Sequence, residues 1–349
     1  MKFMKLNVNN NLKKKKFAVF GSGLLLSYFI ELILKNNFEK PIVFTHPYKK
    51  HVYDINLLKN KKYYKNIFNF CKSKKIKLFE FDNVNSKKVI QILKKNEINY
   101  GFSYACRNIF KTNLINYFNN NLYNLHPSFL PEERGGGTYS WRILNEKNIV
   151  GATIHYINEQ IDGGEVILRK KKKIKTKINH HIPEDMINST DKISKYLLKK
   201  FIILILKNKK IKSTKQIDSK STYLPRLYSD LNGAINWDWN IKDLNKFIRA
   251  FSEPYKGAFT YLGKNKINIK FHKIEKKYNK YHPFSYGRVI KINKKNNRIS
   301  VICNGGIISI KYLYLKNRKV LATKLVNKLS IFHTPEKFLL KAKTKIKKF

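Results

Sequence analysis

The chain has 349 residues, 42% of them hydrophobic, and its 73 Lys and Arg against 22 Asp and Glu give a formal net charge of +51. That length and apolar content suit a globular protein of two domains, each with its own core, and exclude a disordered polyelectrolyte. Only nine of the basic residues are Arg, and the lysines are spread through the chain alongside many Asn, Ile, Tyr and Phe, so the charge reads as compositional drift rather than as a nucleic-acid surface built on bidentate arginine.

Residues 1–15 form a polar, lysine-rich tail without the apolar centre of a secretory signal. From there apolar runs of strand length alternate with helix-length segments, the pattern of a mostly parallel α/β sheet. Strands are expected at 16–21 (KFAVFG), 41–45 (PIVFT), 77–81, 100–104 and 122–126, and helices at 24–35, 63–74, 86–96 and between the last two strands. A helix is expected at 141–145, an antiparallel pair at 151–157 and 165–170, and a closing helix at 189–206. Residues 207–222 (KNKKIKSTKQIDSKST) read as a polar linker. Beyond it Asn240 can cap a helix over 241–251, and five short β-like runs follow at 258–262, 267–271, 287–292, 299–303 and 306–312, which predict a small closed barrel. The domain limits are therefore 16–206 and 223–335, with a basic tail at 336–349.

Cys71, Cys106 and Cys303 are far apart and make neither a disulfide framework nor a zinc pattern, which points to a reducing, cytoplasmic setting without metal. The longest apolar runs are broken by Glu31 or too short for a hydrocarbon core of about 30 Å, so no membrane partner is expected. Gly21-Ser22-Gly23 lacks the third glycine of a dinucleotide fingerprint and reads as a tight strand-to-helix turn. His180 and His181 read as part of a solvated loop, and His155 as a packed or cross-strand residue of its strand.

Asn124 and His126 differ from these. Residues two apart in a strand face the same side, so an amide and an imidazole project together while Leu125 turns into the core. Pro127 keeps His126 extended, and the pair is aimed at the carboxyl end of a parallel strand, where open α/β sheets place ligands. Gly135 to Gly137 allow backbone to approach closely. Read alone, the stretch also fits a strand end followed by a turn. Asp162, in the Asp162-Gly163-Gly164 turn, is either a plain hairpin residue or a carboxylate that orients and charges an imidazole.

Taken together, Asn124-x-His126, the run Ser128-Phe129-Leu130-Pro131, Arg134-Gly135 and Asp162-Gly163-Gly164 resemble the folate-dependent formyltransferases. The chain is most similar to the methionyl-tRNA and amino-sugar-nucleotide types, and the resemblance extends to Ile235-Asn236-Trp237, Ile248-Arg249-Ala250-Phe251, Pro254, Gly257-Ala258-Phe259-Thr260 and Tyr286-Gly287-Arg288-Val289. It implies a Rossmann-like formyltransferase domain followed by an OB-like β-barrel, and a reaction in which a primary amine takes the formyl group of 10-formyltetrahydrofolate. In that reaction Asn124 donates to the developing oxyanion, His126 moves the proton, and Asp162 raises the basicity of His126. Ser128, Phe129, Leu130 and Pro131, with Asn158, Glu159, Gln160 and Ile161, are the implied folate-contacting loops.

The acceptor divides the resemblance. Gly136 stands where the arabinose-type sugar enzymes carry arginine, which suits the tRNA type; yet Pro47-Tyr48-Lys49-Lys50-His51 lacks the glycine-arginine core of the tRNA enzymes' basic loop, and Asp82-Asn83-Val84-Asn85 looks more like the sugar enzymes. Methionyl-tRNA is the leading expectation, an amino-sugar nucleotide the alternative. A non-catalytic RNA binder on the same scaffold and a formylfolate hydrolase are the readings of other classes.

Overall fold

The structure is a computed structural model that describes residues 15–50, 65–174, 180–207, 211–277 and 280–339. The ends of both expected tails (1–14 and 340–349), His51, the start of the helix expected from residue 63 and positions 208–210 lie outside the described residues. The chain divides into two compact units, one of residues 1–135, 149–173 and 188–224, the other of 136–148, 174–187 and 225–349.

In the first unit, seven strands form one sheet. In chain order they are β1 (Phe17–Gly21), β2 (Ile42–Thr45), β3 (Leu78–Glu80), β4 (Tyr100–Tyr104), β5 (Leu122–His126), β7 (Ile149–Tyr156) and β8 (Val166–Lys173); the two-residue β6 (Arg134–Gly135) lies outside it, paired with β9 (Tyr223–Leu224). The order is β3-β2-β1-β4-β5-β7-β8, parallel as far as β5 and then antiparallel, so the expected 151–157 and 165–170 pair is β7 with β8. Every residue of β1 and β2 is buried, as parallel strands covered on both faces require. Ala18 and Phe20 join Ile42, Phe44, Val89, Leu93, Leu114 and Phe118 in one core layer. The alternate residues build the other: Phe17 meets Phe29 edge-on, Phe29 stacks on Phe102 at 3.9 Å between centroids, and Phe201 packs beside Phe102 and Tyr123. Helices Leu24–Lys35 and Pro183–Leu206 supply Phe29 and Phe201, while Lys87–Lys95 and Thr112–Tyr117 supply Val89, Leu93 and Leu114 to the opposite layer.

Several boundaries move for local reasons. The helix expected from 63 runs over Ile67–Lys74, because the Asn66 side chain accepts from the N–H groups of Phe68 and Asn69 and so sets its start. The closing helix begins six residues early, at Pro183, where Asp185 accepts from the N–H of Ile182 and proline suits the first turn. His181, two residues before it, does not lie in the expected solvated loop: it is buried, and its carbonyl accepts from Arg249. At the end of β1, Gly21 has φ +114 and a Cβ there would lie 2.0 Å from the carbonyl oxygen of Tyr104, so the tight-turn reading has a steric cause.

The second unit contains the helix Ile241–Ala250, capped by Asn240, and nine short strands among the described residues instead of the five expected. They are β10 (Ala258–Leu262), β11 (Asn265–Ile269), β12 (Lys273–Lys277), β13 (Val289–Asn293), β14 (Arg298–Cys303), β15 (Gly306–Ile310), β16 (Tyr312–Leu315), β17 (Arg318–Leu321) and β18 (Phe332–His333). Two antiparallel sheets result, β17-β16-β11-β10-β18 and β12-β15-β14-β13, and the chain passes from one to the other at β11 to β12 and β15 to β16. The run expected over 306–312 therefore breaks at Lys311. The hairpin of β16 and β17 turns on Lys316 and Asn317, both at positive φ, a turn that an unremarkable Lys-Asn pair conceals in the sequence.

Candidate active site

β5 places Asn124 and His126 on one face of the sheet at its carboxyl end, with Leu125 buried on the other side, as the strand alternation requires. Both side chains converge on Asp162, which arrives from the loop between β7 and β8. Nδ1 of His126 lies 3.4 Å from Oδ2 of Asp162, and Nδ2 of Asn124 lies 3.4 Å from its Oδ1. The loop is thus both the hairpin connection and the carrier of the carboxylate. Gly164 is obligatory there, since a Cβ would fall 1.8 Å from the carbonyl oxygen of Tyr156.

The electrostatics follow from what surrounds the carboxylate. Burial pushes the Asp162 carboxyl up, but the charge of His126 when that ring is protonated and the backbone N–H of Gly135 at 2.9 Å hold it well below the ordinary carboxylate range. Asp162 is therefore ionised in the fold. His126 is buried, and its Nε2 donates to the carbonyl of Glu133 at 2.7 Å, so in the neutral ring Nδ1, which faces Asp162, is the nitrogen that takes up a proton. Ser128 Oγ donates to the same Glu133 carbonyl at 3.0 Å.

His155 stands directly across from Asn124 in the β5–β7 ladder, as a cross-strand residue, and it also belongs to the site. Its Nδ1 donates to the carbonyl of Tyr156 at 2.7 Å, which leaves Nε2 to accept from Nδ2 of Asn124 at 3.1 Å; Nε2 is also 3.6 Å from Asp162 Oδ1. This fixes which end of the Asn124 amide faces inward. A signal for His155 existed in the sequence: pairing 122–126 against 151–157 puts residues 124 and 155 opposite each other, so the alternation that selected Asn124 selects His155 as well.

The residues implied for folate contact separate into two groups. Ser128, Leu130 and Pro131 are buried, and the loop is pinned by Leu130 N–H to Thr153 Oγ1 (3.1 Å), Thr153 Oγ1 to the Ser128 carbonyl (2.7 Å) and Arg169 to the Leu130 carbonyl (2.6 Å). Phe129 is only partly buried, with Arg169 and Lys171 over its ring. Asn158, Glu159, Gln160 and Ile161 are exposed and lead directly into Asp162; Asn158 caps its own turn by accepting from the N–H of Gln160, and Thr112 donates to Glu159. The polar connector is not loose where it is described: Thr214 exchanges two backbone hydrogen bonds with Val166, and Gln216 bonds the Asp162 loop. Nothing in its composition announced this.

Gly136, the position that bore on the acceptor, packs against Arg226, whose Cβ would be 3.0 Å from an added Cβ. Its smallness thus has a packing cause. No group of three or more His, Cys, Asp or Glu among the described residues is arranged to hold a metal ion, and no described helix is long and apolar enough to cross a membrane.

An amide, an imidazole and an ionised carboxylate gathered at the end of a strand in a mostly parallel sheet are groups able to donate a hydrogen bond and to move a proton. The sequence matches the formyl transferase model over residues 15–200 and the formyl transferase C-terminal domain model over residues 229–329; the chain belongs to the formyl transferase family. Among curated relatives it is 31% identical over 195 residues to the bifunctional polymyxin resistance protein ArnA of Wigglesworthia glossinidia brevipalpis, an alignment covering 56% of this chain and only 29% of that protein. Among solved structures it resembles WlaRD, a sugar 3N-formyl transferase crystallised in the presence of dTDP and 5-N-formyl-THF (TM-score 0.59, 23% identity, 87% of this chain and 99% of the other). It also resembles the N-formyltransferase of Helicobacter canadensis in complex with folinic acid and dTDP-3-aminofucose (TM-score 0.58, 22% identity, 85% and 98%).

Proposed function

We propose that this formyltransferase moves the formyl group of 10-formyltetrahydrofolate to the amino group of a nucleotide-linked amino sugar. The observation that carries the chemistry is the convergence of Asn124 and His126 on an ionised Asp162. The amine nitrogen bonds to the formyl carbon, the carbonyl electrons move onto oxygen, and the adduct collapses with cleavage of the bond to the folate nitrogen. Asn124 donates to the oxyanion. Of its two inward contacts the one to Asp162 is the longer, at 3.4 Å, and that N–H is the one to turn toward substrate; such a donor is worth about 3 kcal/mol. His126 carries the proton from the attacking amine to the departing folate nitrogen, and Asp162 stabilises the ring while it is cationic. Phe129 and the exposed Asn158–Ile161 turn offer surface to the folate, while the buried Ser128, Leu130 and Pro131 hold that loop in place.

The acceptor assignment reverses the order suggested by the sequence. Its support is the amino-sugar chemistry named for WlaRD and for the Helicobacter canadensis enzyme, together with the packing cause for Gly136, which removes the main residue pointing to tRNA. The retained site also speaks against a non-catalytic RNA binder. Incubation with labelled 10-formyltetrahydrofolate and, in parallel, dTDP- and UDP-linked amino sugars and methionyl-tRNA tests the proposal. Label is expected in a sugar. Label in tRNA alone overturns the acceptor, and formate release without any amine overturns formyl transfer itself.

A further inference from the structure

Gln216 sits in the polar connector 54 residues beyond Asp162, yet its side chain touches the loop that carries the carboxylate. Nε2 donates to the carbonyl of Asp162 and to that of Gly164, both at 2.7 Å. Oε1 accepts from Nε and Nη2 of Arg134, at 3.2 and 3.0 Å. Arg134 is further tied to Asp218 at 2.8 Å, and the next residue, Gly135, donates its N–H to the Asp162 carboxylate. The glutamine amide thus bridges the two chain segments that hold Asp162, one by its own backbone and one by the N–H it accepts.

The amide has a single orientation that works. Turned over, it would set its oxygen against two carbonyls and its NH2 against a guanidinium, so only a side chain with a donor end and an acceptor end fills the position. Asp162 has φ +51, in the left-handed region that only a minority of residues other than glycine occupy, so the hold also keeps that turn in place. The connector is fixed on both sides of Gln216: Ser213 Oγ donates to Glu165, Thr214 pairs with Val166, and Thr222 donates to the Glu132 carbonyl and accepts at its own carbonyl the N–H of Arg134.

We infer that Gln216 is a positioning residue for the transfer reaction, acting through the Asp162 loop and Arg134–Gly135 to set the carboxylate against His126. The inference rests on the formyl-transfer reading above. A mere staple for the connector would affect stability and leave turnover alone, and this separates the two roles. Gln216→Ala and Gln216→Glu are compared in steady-state formyl transfer at a temperature where both variants are folded by circular dichroism. Gln216→Glu retains the partner of Arg134 but turns a carboxylate toward the Asp162 and Gly164 carbonyls. Both variants are expected to lose tenfold or more in kcat, with KM for formylfolate and acceptor within threefold of wild type. In combination with Asp162→Asn, Gln216→Ala is expected to cause no further loss, since it acts through that carboxylate. Wild-type kcat in both variants while Asp162→Asn is impaired overturns the inference alone, as does full additivity in the double variant. Absence of formyl transfer by the wild type to any amine overturns the underlying reading and the inference with it.

Discussion

Replacing Asp162 by Asn tests the site most directly, because the change preserves shape and still offers an oxygen to the N–H of Gly135, 2.9 Å away, while removing one charge. That charge lies 3.4 Å from Nδ1 of His126. Two unit charges at that distance interact by about 5 kcal/mol at an effective dielectric constant of about 20. If roughly half of the proton has reached the imidazole in the transition state, about 2.5 kcal/mol is lost, and if all of it has, nearly the whole; kcat is expected to fall by roughly 70-fold to a few thousand-fold. Single-turnover transfer of labelled formyl measures the step without product release. The variant also titrates differently. The Asp162 carboxyl is depressed in the fold, so its contribution to stability is present above the unfolded value near 3.9 and lost as pH falls toward the lower folded one. Asp162→Asn therefore flattens that part of the acid-unfolding curve. A kcat within about threefold of wild type, in a folded variant, refutes the role given to the carboxylate.

Asp191, in the helix Pro183–Leu206, is the opposite case: burial pushes its carboxyl up to about 6 against the pull of Lys195, so stability is full below about 4 and declines as pH rises through 6. Asp191→Asn is expected to stabilise the protein by about 1 to 3 kcal/mol at pH 8 and not at pH 4; urea unfolding at the two pH values measures it, and destabilisation at pH 8 contradicts the reasoning. Gly21→Ala forces a Cβ to 2.0 Å from the Tyr104 carbonyl at a φ of +114 and is expected to cost about 3 kcal/mol or more, read as a lowered urea midpoint. An unchanged midpoint means that the β1–β4 contact yields more easily than its geometry implies.

Much of the architecture was open to reading because local pattern and global fold agree in it. Strands such as FAVFG and IVFT are apolar throughout since both their faces are covered, and strand alternation alone put Asn124 and His126 side by side. Those properties depend on neighbours in sequence and on backbone period. The second unit was less legible: its strands are short and partly charged, as in Lys273–Lys277, and one hairpin turns on Lys316-Asn317 rather than on glycine.

The sequence by itself determined the parallel sheet, the family resemblance and the amide–imidazole pair, because period-two alternation and residue chemistry are local quantities. Only the tertiary structure decided that His155 orients the Asn124 amide, that Gly136 is small to admit Arg226, and that a polar connector delivers Gln216 to the Asp162 loop. The reason is that hydrogen-bond partners 27 to 54 residues apart, such as Gly135 with Asp162 and Asp162 with Gln216, are chosen by where the chain returns in space. No composition or spacing along the chain records that return.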